Sequence, residues 1–121
     1  MSGNHTTDHL ENMMEAATLA CSYVDGLSQT SFLEDTRTQQ AVLMNIVIIG
    51  ESAAKILQSD EKFIASHSHI PWRQIAAMRH KVVHNYFGID LEIIWETVQT
   101  DLPQLLASLH TILKTPPESP P

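Results

Sequence analysis

From Thr36 to Gln58 the chain reads as one long helix, and its middle, Val42 to Ile49, is apolar on nearly all sides. A helix that is hydrophobic all round has to be covered on more than one face. A single domain of 121 residues offers limited cover, so part of it is expected from a second copy of the chain or from a partner. Gly50 interrupts the same helix, which weakens it by about 1 kcal/mol relative to Ala. The simplest compensation is close approach of another helix at that point. Glu51 follows directly.

The rest of the chain supplies helices for this central one. Leu10, Met13, Met14, Ala17, Cys21 and Val24 share a stripe, predicting a first helix from Thr7 to Asp25. Thr7 or Asp8 is the expected cap, with Asp8 and Glu11 at capping-box spacing. Gly26 is the expected left-handed stop. Leu27 to Asp35 reads as a connector anchored by Phe32 and Leu33, and Ser59 to Ile70 as a loop with one short turn at Glu61 to Ser66. Pro71 suits the first turn of a third long helix, carrying Trp72, Ile75, Ala76, Met78, Val82 and Val83 and ending at Gly88. Asp90 caps a fourth helix from Leu91, with Ile93, Ile94, Trp95 and Val98 inward. Pro103 is expected to break or kink it, and Asp101 to cap a restart through Leu105, Leu106, Leu109 and Leu113. The fold class is all-α, an antiparallel four- to five-helix bundle dimerising through its helices. Residues 1–6 are expected to be a flexible N-terminus, 7–114 the helical domain and 115–121, with four prolines, a disordered tail.

Composition excludes several classes. Four glycines and no sustained alternation of Val, Ile and Thr argue against a β fold. A single cysteine, Cys21, rules out a disulfide framework and suits a reducing compartment. No basic region precedes an apolar stretch at the N-terminus, and the run from Ala41 to Gly50 is about half of what a bilayer span needs. A cytoplasmic protein without membrane contact is the expectation. The net charge of −7 taken alone opposes nucleic-acid binding. Its distribution does not: from Lys62 to Ile89 there is no Asp or Glu, while Lys62, Arg73, Arg79, Lys81, His67, His69, His80 and His84 all fall there. A locally basic face on an acidic body can serve a small anionic site.

Within that window, Arg79-His80-Lys81-Val82-Val83-His84-Asn85-Tyr86 concentrates chemistry. On an ideal helix Arg79 and Tyr86, seven apart, share a stripe, and His80 neighbours His84. RNA can be cut without a metal when a base takes the 2′-hydroxyl proton, an acid protonates the leaving 5′-oxygen and a cation stabilises the phosphorane. Imidazole suits both proton transfers because His as a class titrates near neutrality. A guanidinium suits the third task, being always charged and able to grip phosphate oxygens in pairs. One chain offers one such Arg and one such His, and a twofold dimer would double both in one cleft. Arg79 and His84 are therefore the candidate catalytic residues, with His80, Asn85 and Tyr86 in support.

Blander readings stand beside these. Arg79 can be a solvated surface residue, and His84 can merely complement a helix C-terminus. His80 and His84 can bind zinc as an i, i+4 pair, with His67 or His69 as a third ligand, although no Cys or acidic ligand lies nearby in sequence; no metal site and no cofactor are expected. Cys21 reads as a buried structural thiol, and Trp72 and Trp95 as packing anchors.

Together these residues resemble the HepT-like branch of the HEPN superfamily. The motif there is Arg, a polar residue, three further residues and His, commonly followed by any residue and Tyr, which Arg79 to Tyr86 match in order. The likeness extends to Ile48-Ile49-Gly50-Glu51-Ser52-Ala53, Ile70 to Ala76, Phe87 to Glu92, Trp95 to Val98 and Asp101-Leu102-Pro103, and covers about residues 8 to 114. His80 departs from the usual Asn after the motif Arg; it can orient the phosphate or the other imidazole, or titrate as a second acid or base. The resemblance implies a HEPN-like fold, a homodimeric, metal-independent ribonuclease toxin of a toxin–antitoxin module, and an RNA substrate. It also implies a cognate MntA-type nucleotidyltransferase antitoxin that silences the toxin by transferring AMP to the motif Tyr, here Tyr86. The other reading is a non-catalytic helical binding module that partners a minimal nucleotidyltransferase.

Overall fold

The computed structural model describes residues 5–114, and the expected Pro-rich tail, 115–121, lies outside them, as do the first four residues of the expected flexible N-terminus. The described residues are helical, without a strand: α1 (Thr6–Val24), α2 (Gln29–Leu33), α3 (Thr36–Ser59), α4 (Glu61–Ser66), α5 (Trp72–His84), α6 (Leu91–Glu96) and α7 (Leu102–Lys114). The fold is the all-α bundle that the periodicities predict. α3 packs against both α1 and α5, and α7 packs against α1 and faces α3 and α5 across a cleft. The core runs through Leu10, Met13, Ala17, Val42, Ile46, Ile49, Ala53, Ile56, Val98 and Leu109, all buried.

α3 is long and apolar enough to cross a membrane by composition, with a mean hydropathy of 1.4, yet half of that stretch is buried within its own bundle. Its centre is a core, as a helix apolar on several faces requires. The cover is incomplete: Met44 is 60 % exposed, and Ile48 is exposed beside it one turn on.

Several local expectations are corrected. α1 starts at Thr6 with His5 in the capping position, so neither Thr7 nor Asp8 caps it, and no side chain bonds to its first turn from there. The Thr6 hydroxyl instead donates to Asp60 Oδ2 at 2.5 Å, while Asp60 Oδ1 accepts from the Phe63 N–H and so caps α4. One carboxylate thus ties the start of α1 to the α3–α4 corner. Leu113 of α7 lies along the middle of α1, with Glu11, Met14, Glu15, Thr18 and Leu19. The connector carries a short helix, α2, which buries Phe32 against Trp95 at a centroid distance of 5.3 Å. Gly26, at φ +81°, is the left-handed stop expected.

Pro103 neither ends the last helix nor forces a restart, and Asp101 caps nothing. Residues Thr97–Asp101 form a π turn that joins α6 to α7 without a break, with the Leu102 N–H bonded to the Thr97 carbonyl. Proline removes a helical donor and crowds the carbonyl four residues back. A wider turn just ahead of it relieves both faults while the chain stays helical.

Candidate active site

α5 begins where Trp72 anchors it, the indole N–H donating to the His67 carbonyl at 3.0 Å and the ring lying edge-on to Phe63. It packs chiefly against α3. The contact is closest at Gly50: a Cβ there would collide with the Arg79 Cβ and stand 3.0 Å from the Ile75 carbonyl oxygen. The glycine inside the central helix is therefore explained by the backbone of α5 lying against it, as expected from the sequence.

That approach positions Arg79. Its Nε stands 3.0 Å from Glu51 Oε1, with the two side chains 38 % and 45 % exposed. The Nε atom itself is buried and its N–H does not align with an acceptor. The contact is thus an ion pair rather than an aligned hydrogen bond. It fixes the root of the guanidinium against α3. Sequence reasoning does not single out Glu51 as a site residue, because it lies outside the acid-free window. The signal is its neighbour Gly50, which announces a crossing helix.

His80 and His84 are both exposed, and their rings meet at a centroid distance of 4.2 Å and 37°. His84 is the last residue of α5. Arg79 and His84, five apart, point about 140° away from each other around an α-helix. One protomer therefore presents its guanidinium and its terminal imidazole on different sides of α5.

α5 ends four residues earlier than Gly88. Asn85, at φ −143°, closes it through an N–H bond to the Lys81 carbonyl, and Tyr86–Gly88 form a separate 3-10 turn. Tyr86 consequently does not stand on one helical stripe with Arg79, as seven-residue spacing predicts. It is part-exposed and lies edge-on to Phe87 at 5.3 Å, and Phe87 is 98 % exposed. The Asn85 side chain fills the space beside Gly88 that a Cβ would need. Val83 and Ile93, expected to pack inward, are exposed as well: Val83 lies on α5 away from its contact with α3, and Ile93 of α6 lines an open cleft.

A cleft of about 420 Å³ is on the opposite flank of α5, lined by Ile75, Met78, Lys81, Leu102 and Leu105 among others. Arg79, His80 and His84 take no part in it. The candidate catalytic groups thus stand outside this cleft, with His80 and His84 open to solvent. They are not directed into the core.

Other titratable residues are accounted for structurally. Burial pushes the Cys21 thiol up, which makes it less reactive. His67 is stacked on Phe63 and its Nδ1 lies 3.0 Å from the Phe63 carbonyl. Among the described residues no group of three or more His, Cys, Asp or Glu is placed to hold a metal, so the three-ligand zinc site weighed from sequence is not assembled within a protomer.

Residues 13–112 match the family model described as "Ribonuclease HepT-like". A relative from Thermococcus cleftensis, described as "Probable ribonuclease HepT", is 39 % identical over 107 residues, covering 88 % of this chain and 94 % of its own. Relatives described as "Putative RNase" include one from Caldanaerobacter subterraneus subsp. tengcongensis, 33 % identical over 88 % of this chain and 92 % of its own. Another, from Methanocaldococcus jannaschii, is 34 % identical over 88 % and 83 %. Comparison with solved structures gives no match.

Proposed function

Since the chain belongs to the HepT-like ribonuclease family, we propose that it is a metal-independent endoribonuclease that works as a homodimer. The 2′-hydroxyl of RNA attacks the adjacent phosphorus as an imidazole removes its proton. The P–O5′ bond breaks as a second imidazole, acting as the acid, protonates the leaving oxygen. The products are a 2′,3′-cyclic phosphate and a 5′-hydroxyl. Arg79 stabilises the charge on the non-bridging oxygens, and His84 is the acid–base group.

The observation that carries this reading is the position of the pair. Arg79, paired with Glu51, and His84, at the helix end with its ring against His80, stand on different sides of α5 and both reach solvent. Apolar side chains are also left uncovered on the protomer, Met44 and Ile48 on α3, Val83 on α5 and Phe87 just after it. One protomer supplies neither a second terminal imidazole nor walls to exclude water. A twofold mate packed along α5 would supply both and would cover exposed apolar side chains.

Biologically, the reading is a toxin held in check by a cognate nucleotidyltransferase that transfers AMP to the Tyr86 hydroxyl, with pyrophosphate leaving from ATP. Tyr86 is accessible and follows His84 by two residues. A bulky anion there would pair with the cations of the site and obstruct RNA.

The test is cleavage of RNA by pure protein in EDTA. Arg79→Ala and His84→Ala should each reduce the rate about 100-fold or more, and the products should carry cyclic phosphate ends. Equal cutting by both variants overturns the mechanism. A protein that binds a nucleotidyltransferase stably but never cuts RNA is instead the non-catalytic module.

A further inference from the structure

The contact between His80 and His84 is not used by the mechanism above. In-line transfer needs base and acid on opposite sides of phosphorus. Two imidazoles in contact at 4.2 Å and tilted by 37° stand on the same side, so His80 is not the acid that answers His84 within one protomer.

The same geometry suits a different chemistry. Metal–nitrogen bonds of about 2.0–2.1 Å put two imidazoles on one ion with their ring centres roughly 4.5–5 Å apart. The observed 4.2 Å is close to that spacing. Both are exposed on the outer flank of α5, and neither ring nitrogen is given a protein partner by any hydrogen bond in the described structure.

We propose that His80 and His84 form a bidentate site for a late first-row divalent ion of the zinc and copper type, and that an ion bound there withdraws the His84 imidazole from proton transfer. This second half rests on the nuclease reading. The ion takes up the ring lone pair that would otherwise accept the proton. Lys81 and Arg79 adjoin the pair, so charge does not draw a cation in, and affinity comes from nitrogen donation. That selects copper and zinc and excludes magnesium and calcium, which want oxygen ligands. Waters complete the coordination. The site is inhibitory, not a cofactor site, and a His in place of the family's usual Asn at position 80 creates it.

The experiment is calorimetric titration of the metal-stripped full chain with zinc chloride and, separately, copper chloride, beside cleavage assays at the same ion concentrations. Saturable binding is expected. His80→Asn and His84→Asn should each weaken it at least tenfold, while His110→Asn leaves it unchanged. Zinc should suppress cleavage with the midpoint of the binding curve, EDTA should restore it, and magnesium should do neither. Binding unmoved by His80→Asn overturns the site. Undiminished cleavage at saturating zinc overturns the inhibition. A protein that binds zinc through both imidazoles yet cuts no RNA in EDTA supports the site and overturns the nuclease reading with the inhibitory half.

Discussion

Gly50 of α3 lies directly beneath the Cβ of Arg79 on α5, leaving no room for a methyl group between the two helices. Gly50→Ala gains about 1 kcal/mol of helix propensity. Against it stands overpacking, which costs about 1–3 kcal/mol. The obstructing atoms are a Cβ and a backbone carbonyl, which cannot swing aside as a chain end can. The expected outcome is a lower melting temperature and, because Arg79 is displaced, a larger fall in RNA cleavage than the stability loss explains. Thermal unfolding by circular dichroism and a cleavage assay well below the transition check both.

Glu51 holds Arg79 without reaching the proposed scissile phosphate itself. Part-exposed ion pairs add little stability, so Glu51→Ala should hardly move the melting temperature. It should lower kcat about tenfold through a misplaced guanidinium. Glu51→Gln, which keeps the length and a carbonyl oxygen, should recover part of that loss. Equal kcat in all three proteins refutes the positioning role.

Met44, Ile48 and Phe87 are large apolar side chains left uncovered in the protomer. If they form the dimer face, Ile48→Glu and Phe87→Glu should turn a dimer into a monomer in sedimentation or light scattering. Cleavage should fall in proportion. These side chains are exposed in the protomer, so the variants should fold. A dimer unmoved by both places the interface elsewhere.

Much of this arrangement is legible in the sequence, and what is missed has physical causes. The periodicity of Leu10, Met13 and Ala17 and the apolar middle of α3 are long signals, and they predict the core. The glycine at 50 predicts a crossing helix. The end of α5 is misjudged because Asn-Tyr-Phe carries no proline or glycine punctuation before Gly88, although Asn bonds readily to its own backbone and fits poorly inside a helix. The π turn is hidden because proline alone signals only that a helical bond is lost, while the way it is absorbed depends on the turn before it. The pairing of Glu51 with Arg79 is non-local: it exists only once α3 and α5 pack together.

Asp35 caps α3, accepting from the Thr38 hydroxyl at 2.6 Å and the Thr38 N–H at 3.0 Å. Those bonds, the hydroxyl's first, hold its carboxyl below the usual carboxylate range. A carboxyl depressed on folding stabilises the fold above its unfolded value of about 3.9, and the contribution is lost as pH falls through the lower folded value. Asp35→Ala should therefore melt below the parent at pH 7. The gap between them should close in acid, below about pH 4, as the parent loses its cap. Melting curves from neutral pH down to the acid limit of reversibility check this.

The tie between Thr6 and Asp60 fixes the start of α1 at the α3–α4 corner. The Cys21 thiol, near the end of α1, lies 3.9 Å from the Val98 carbonyl, and Leu113 lies along the middle of α1, so α7 runs back toward that same corner. Both ends of the described chain therefore point to one pole of the bundle, whereas His84 sits at the far end of α5. A passenger protein joined to either terminus should leave the pole that carries the motif unobstructed, so fusions can report on abundance or location without covering the candidate site.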